Sequence, residues 1–429
     1  MFRCKILWKS VPYFPFWTLE VQKRDYYNKL EISNEINREL DKMDKIYKIG
    51  VIGLGARVTD FFGDFRMKWD GWKISTVADP DLQKVNKKIE NFPGYFTDDV
   101  HMYTNADEML EKEEVDAIVI GTRCALHTEM AIKAMPKKVP IFLEKPVCIS
   151  FEQLKQLEEA NKKYNPLVLV SFPGRYTKHV QMAKEIIESG EIGEIIQIDA
   201  VNDVPYGRVY YHNWYQDESL TGGLWLQKAT HDFDMINYLL GEKAKAISAF
   251  DARKFFGGNE PVGLKCGDCP KQKDCPESIY TVKNVYQDPY GSSGNLCCYS
   301  KNVSNQECGT AIVKYESGII ATYTQNFVAR MHSERRGARI YGYKGVIEYD
   351  FFDQRVTVYS NVSPYTRTFK VYDAGHHYGG DLYLAQQFKD IITGKDTKST
   401  LEEGMESARM CLYAEKSCRT DETQKIVRD

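Results

Sequence analysis

From Tyr47 onward, short apolar runs alternate with stretches of helical periodicity. YKIGVIGLG, KISTVADP, VDAIVIGT, VPIFLEK and PLVLVSF read as strands, and VTDFFGDFRMKW, LQKVNKKIENF, NADEMLEKEE, HTEMAIKAM and SFEQLKQLEEANKKY as helices. Strands that are continuously apolar belong in a parallel sheet covered by helices on both faces. The first half therefore predicts a doubly wound α/β domain over residues 43–172, with VDAIVIGT, VPIFLEK and PLVLVSF as its fourth, fifth and sixth strands.

After MAKEIIESGEIGEI the pattern changes. QIDAVNDV, AISAFDA, GTAIVKYESGIIATYTQNF, ARIYGYKGVIEYD and RVTVYS alternate apolar and polar residues, as antiparallel strands with one face on helices do. HDFDMINYLLG reads as a helix stopped by Gly241. Residues 173–400 are thus a second α/β domain with a mainly antiparallel sheet, and residues 401–429 a closing helix, LEEGMESARMCLYAEKSC, with its tail. Residues 1–42 are aromatic and then polar, and are read as an extension, either a disordered arm or an upstream start, with no function assigned.

A chain of 429 residues is long enough for these two domains. Its net charge of -3 offers no electrostatic footprint for nucleic acid or an anionic membrane, which leaves small-molecule chemistry. No run approaches the roughly 20 apolar residues of a membrane span, and Lys9, Pro12 and Pro15 interrupt any signal-peptide core, so a cytoplasmic location is expected. Eleven cysteines, an odd count in a chain this large, argue against a disulfide scaffold.

The first strand runs into Gly53, Leu54, Gly55, Ala56 and Arg57 before a helix. Glycines there permit a tight turn and a close approach of backbone N–H groups to a pyrophosphate at a helix N-terminus. The third fingerprint position is Val58, where Gly or Ala is usual. The second strand ends at Asp79, whose carboxylate suits a ribose 2'-hydroxyl and repels a 2'-phosphate, favouring NAD over NADP. Thr122, Arg123 and His127 follow the fourth strand at the same sheet edge, where they would line the cofactor. The fifth strand ends on Glu144, Lys145 and Pro146, which puts Lys145 beside the nicotinamide, with a pKa lowered by partial burial and Pro146 fixing the turn.

KIGVIGLGAR, VADPD, DAIVIGT, the EKP triplet, SGEIGEI and GGLWLQKATHDFDMINYLLG together resemble the glucose-fructose oxidoreductase, inositol dehydrogenase and MocA (Gfo/Idh/MocA) family over residues 46 to about 420. The resemblance implies an N-terminal Rossmann domain, a C-terminal α/β domain whose large open sheet mediates homo-oligomerisation, and hydride transfer at sugar or cyclitol carbons. It assigns proton transfer to Lys145 and a partner role to His231. The family's aspartate four residues before that histidine is Gln227 here, and Lys228 is the expected substitute. Arg175, Tyr176 and Trp214 are expected to border the sugar, and AGHHYGGD resembles the family's HGGGD segment, which brings in His377.

Cys266, Cys269 and Cys275 form C-x2-C-x5-C, and with Cys297 they make the best quartet for a structural zinc ion, with an iron-sulfur cluster as the alternative. A cysteine-bearing branch of the family resembles this insertion (residues 261–308) and supports Cys297 over Cys298. The expected activity is NAD-dependent oxidation of a sugar, sugar derivative or cyclitol hydroxyl. A redox-neutral NAD-dependent glycosidase or lyase and a noncatalytic NAD-dependent sensor are the alternatives.

Overall fold

Six parallel strands form the first sheet of the computed structural model: β1 (Tyr47–Ile52), β2 (Trp72–Ala78), β3 (Phe96–Tyr103), β4 (Ala117–Ile120), β5 (Ile141–Leu143) and β6 (Val168–Val170), in the order β3-β2-β1-β4-β5-β6. The structure describes residues 45–205, 208–282, 284, 294–330, 332–361, 363–372, 375–397 and 399–428; the extension expected over 1–42 lies outside them. β1, β4, β5 and β6 are apolar and almost wholly buried, because helices cover both faces. The long helices are α1 (Ala56–Lys68), α2 (Leu82–Asn91), α3 (Ala106–Lys112), α4 (His127–Ala134), α5 (Phe151–Tyr164), α6 (Lys178–Glu188), α7 (Thr230–Leu240), α8 (Gly380–Ile392) and α9 (Leu401–Thr420).

Several of them start on the cap that their sequence supplies. Asp81, Asn105, Ser150 and Thr177 accept N–H groups of α2, α3, α5 and α6, and Thr400 forms a reciprocal capping box with Glu403 at α9. α1 begins after Gly55 with no side-chain cap, so its first-turn N–H groups stay open at the carboxyl edge of the sheet.

The second sheet has nine strands: β7 (Ile195–Pro205), β8 (Ala244–Ala252), β9 (Cys308–Tyr315), β10 (Ile320–Ala329), β11 (Arg335–Gly342), β12 (Gly345–Asp350), β13 (Arg355–Ser360), β14 (Arg367–Lys370) and β15 (Gln424–Lys425). Their order is β14-β13-β12-β11-β7-β10-β9-β8-β15, antiparallel throughout except for β10 beside β7. Alternation sends Ala311, Val313, Ala321, Tyr323 and Ile340 inward against α6, α7 and α9.

One apolar cluster runs from Ile118, Ile120 and Leu143 of the first sheet through Phe233 and Ile236 of α7 to the inner face of the second. α9 lies between the sheets, packed on α5, β6, α7 and β8, and Gly404 lets it approach: a Cβ there would sit 2.9 Å from Val147. The opposite face of the first sheet is closed by α1 and by α8, whose Leu384, Phe388 and Ile391 join Phe61, Phe65 and Phe142. Each fully buried side chain of that kind contributes about 1.5–3 kcal/mol. Residues 380–392 therefore belong physically to the first sheet's layers, although they follow most of the second sheet in the chain.

Candidate functional site

The glycine turn is shaped by contact as well as by conformation. Gly53 has φ +81°, and a Cβ there would fall 2.8 Å from the Thr122 nitrogen, so the turn after β1 and the loop after β4 can touch only with glycine in place. Val58 stands where the fingerprint uses a small residue because the small partner lies opposite: a Cβ on Gly121 would meet the Val58 side chain at 2.0 Å. Asp79 Oδ2 accepts the Leu54 N–H (2.9 Å) and Oδ1 that of Asp81 (3.0 Å), which ties the turn to the end of β2. Each oxygen keeps an acceptor site for a hydroxyl.

Arg57 turns away from the open N–H groups of α1. Its guanidinium pairs with Asp381, at 2.6 and 3.0 Å, and its Nε lies 3.3 Å from Glu144. The side chains of Arg57 and Glu144 thus join an ion-pair network between α1, the end of β5 and α8, at the carboxyl edge of the sheet. His127 opens α4 after the loop that follows β4. It is 2% exposed, its Nδ1 is 2.8 Å from the Pro146 carbonyl and its Nε2 3.2 Å from that of Thr122, so it latches the loops after β4 and β5 together. Burial lowers its pKa, so the neutral ring has one N–H and donates to one of these carbonyls, the nearer being that of Pro146, while the other nitrogen only lies against the Thr122 carbonyl. Arg123 lies across Trp214, 3.6 Å from the ring centre, and Trp214 stacks on Tyr215.

The peptide between Lys145 and Pro146 is cis. Lys145 Nζ donates to the Gln227 backbone carbonyl (2.9 Å) and to its Oε1 (3.0 Å), while Gln227 Nε2 donates to Cys124 Sγ (2.9 Å). Gln227 and Lys228 sit on a π-helical turn, Trp225–Ala229, that leads into α7 and His231; such turns recur at functional sites. Burial, then the Lys228 charge, pulls the Lys145 pKa down to about 8. Burial, then Arg336, does the same to Lys228, also to about 8. His231 is held well below the ordinary imidazole range by burial and then by Lys145, Arg336, His377 and Lys228.

The His377 ring centre is 5.9 Å from that of His231, and Nδ1 of His377 is 2.8 Å from Asp381 Oδ2. Burial alone would raise the Asp381 carboxyl, but His377 and Arg57 hold it well below the usual carboxylate range. Lys145, Lys228, His231 and His377 therefore share one crevice between the cofactor sheet and the second sheet. Lys228 has no hydrogen bond to Lys145 or His231 among the described residues, and the position of the expected aspartate is filled by Gln227 as the direct partner of Lys145.

Arg175 and Tyr176 do not border this crevice. Arg175 is 1% exposed and binds Asp234 and Glu403, joining the segment after β6 to α7 and α9. Tyr176 is buried in the aromatic layer beneath α8. Burial takes both from the substrate role expected of them. Sequence reasoning missed Arg336 of β11, Cys124, and Asp232, which binds Arg336, Asn202 and Tyr323.

Cys266, Cys269, Cys275 and Cys297 line one cavity of about 20 Å³ with Cys298. The antiparallel bridge of Lys265 with Leu296 sets Cys266 and Cys297 side by side. The donor set suits a tetrahedral ion, but the sulfurs are not drawn in to ligand spacing, which for zinc is about 3.8 Å between sulfurs. Among the described residues, the trio with ligand atoms all within 4.8 Å is Asp64, His376 and Asp381.

A family model described as an oxidoreductase family with an NAD-binding Rossmann fold matches residues 47–172, and one described as a GFO/IDH/MocA C-terminal domain matches residues 180–348. The oxidoreductase-family protein YteT of Bacillus subtilis is 25% identical over 68% of this chain and 75% of its own length. Myo-inositol 2-dehydrogenase of Thermotoga maritima is 28% identical over 47% of this chain; the match spans 57% of that enzyme. A levoglucosan dehydrogenase solved with NADH and levoglucosan superposes with a TM-score of 0.72 at 17% identity, covering 90% of this chain and all of that one, a likeness of fold.

Proposed function

Because the chain belongs to the Gfo/Idh/MocA family of oxidoreductases with an NAD-binding Rossmann domain, we propose that it is an NAD-dependent dehydrogenase of a sugar, sugar derivative or cyclitol hydroxyl. The observation that carries this reading is the reach of Lys145 from the end of β5 to Gln227 beside His231, which puts a half-buried amine of lowered pKa where cofactor and substrate domains meet.

NAD, when bound, supplies the hydride acceptor. The open turn Gly53–Gly55, Ala56 and Asp79 would hold it, with Thr122 and Arg123 at its flank. Lys145, neutral above its pKa, takes the hydroxyl proton as the C–H bond breaks, and the carbon–oxygen double bond forms. His231, kept neutral by its surroundings, orients the oxygen, and His377, fixed by Asp381, carries protons onward toward solvent. Trp214 and Arg123 form an aromatic and cationic wall suited to a sugar face.

The pairing of His377 with His231 also favours a second reading, redox-neutral elimination from a glycoside after transient oxidation. Incubating the protein and NAD with sugars, cyclitols and glycosides distinguishes the two: a dehydrogenase accumulates NADH with the oxidised product, and elimination releases sugar without it. NADP is disfavoured by the Asp79 carboxylate. The four cysteines are proposed as ligands of a structural zinc ion that would draw the loop closed. Homo-oligomerisation is proposed through the face of the second sheet turned from the helices, where Phe250, Ile312 and Ile320 are exposed. No helix among the described residues is long and apolar enough to cross a membrane.

A further inference from the structure

The crevice carries more positive charge than the chain itself balances. Lys228 is half-buried on the π-helical turn, with its Nζ 5.6 Å from the Tyr210 ring centre and no hydrogen bond or ion pair among the described residues. The carboxylate whose field reaches it is Asp232. That carboxylate is already occupied: Oδ1 accepts Arg336 Nε (3.0 Å) and Nη2 (2.8 Å), and Oδ2 accepts Asn202 (2.8 Å) and the Tyr323 hydroxyl (2.8 Å).

Lys145 is solvated by carbonyl oxygens of Gln227, which bring no charge. Glu144 and Arg57 act on Lys145 with opposite signs and are paired with each other. Lys145, Lys228, Arg336 and Arg57 thus stand against the carboxylates of Asp232, Glu144 and Asp381, four positive charges to three negative, and Lys228 is the cation of the four with no hydrogen bond or ion pair among the described residues. A buried cation without a counter-charge is unfavourable and is relieved by an anion supplied from outside. The phosphates of a dinucleotide would sit at the start of α1, on another part of the cleft, and an oxidised nicotinamide adds further positive charge.

We propose that the substrate of this site carries an anionic oxygen group, a carboxylate or phosphate on the sugar, received by Lys228 with Arg336 behind it. The inference rests on the dehydrogenase reading for the location of the reacting hydroxyl, but it concerns binding and is tested as binding.

The test uses NAD-loaded protein and calorimetric titration with glucose, glucuronate and glucose 6-phosphate, and with the matching galactose set, for the wild type, Lys228→Met and Lys228→Arg. At least one anionic sugar should bind ten-fold or more tighter than its neutral twin. That advantage should vanish in Lys228→Met, persist in Lys228→Arg and shrink with added salt. Preference for the uronate identifies a sugar acid, and preference for the phosphate a sugar phosphate. Anionic sugars that bind no better than neutral ones, or not at all, overturn the proposal, as does an advantage that survives in Lys228→Met. NAD affinity and circular dichroism of each variant verify folding. NADH formation is followed in parallel. Lys228-dependent anion binding without NADH would refute the dehydrogenase reading alone, whereas NADH from neutral sugars only would refute this inference alone.

Discussion

Replacing Gln227 by glutamate puts a negative charge where Lys145 now meets a neutral carbonyl, 3.0 Å from Nζ. An opposite charge at such range favours the protonated amine, and shifts of about 1–3 pKa units are typical. Lys145 starts from about 8, so a central two-unit shift would bring it to about 10. The neutral form is the base, so activity is present above this pKa and lost as pH falls through it. At about pH 7.5 the neutral fraction would drop from roughly one quarter to about 0.3%, an approximately 80-fold loss in kcat/KM. The assay is kcat/KM for NADH formation across the alkaline range, because that ratio reports the free enzyme's titration. The wild type should rise with a midpoint near 8, and Gln227→Glu should rise later and approach the wild type at high pH. Gln227→Met, which removes the acceptor without adding charge, should not move the midpoint upward. An unchanged midpoint in Gln227→Glu would refute Lys145 as the titrating base.

Lys145→Met should lower kcat by about 10²–10⁴-fold while NAD affinity, measured by fluorescence titration, stays near wild type. Arg175→Met should act on stability: removing one partner of a buried pair costs about 3–5 kcal/mol, read as a lower denaturant midpoint, with substrate KM little changed in the folded fraction. Cys266→Ser should lower bound zinc, measured by mass spectrometry of the native protein, and lower Tm; unchanged zinc content removes the metal assignment.

The parallel sheet was legible because β1, β4, β5 and β6 are short apolar runs, the first three of them ending in glycine or charge. β3 escaped because FTDDVHMY is a half-exposed edge strand without an apolar run, and β14 because all four of its residues are exposed. α8 was hidden behind the glycines of AGHHYGGD; it is helical because Leu384, Phe388 and Ile391 pack on α1 from far along the chain. Within the site, Lys145, His231 and His377 could be named from local motifs. The fate of Arg175 could not, since its partners Asp234 and Glu403 lie 59 and 228 residues away. Arg336 carried no local signal either, and it reaches the crevice only because β11 pairs with β7. Val58 looked like a departure from the fingerprint until Gly121 appeared opposite it: close packing needed one small partner, on either side.

The central claim is that this crevice moves hydride from a carbon bearing a hydroxyl to NAD while Lys145 takes the proton. The most direct measurement follows a substrate deuterated at that carbon and analyses the nicotinamide by mass spectrometry. The account predicts NADH one mass unit heavier from the wild type, formed about 10²–10⁴-fold more slowly by Lys145→Met at the same pH. Substrate consumed by the wild type without deuterium in the nicotinamide, or deuterated NADH formed equally well by Lys145→Met, would contradict it.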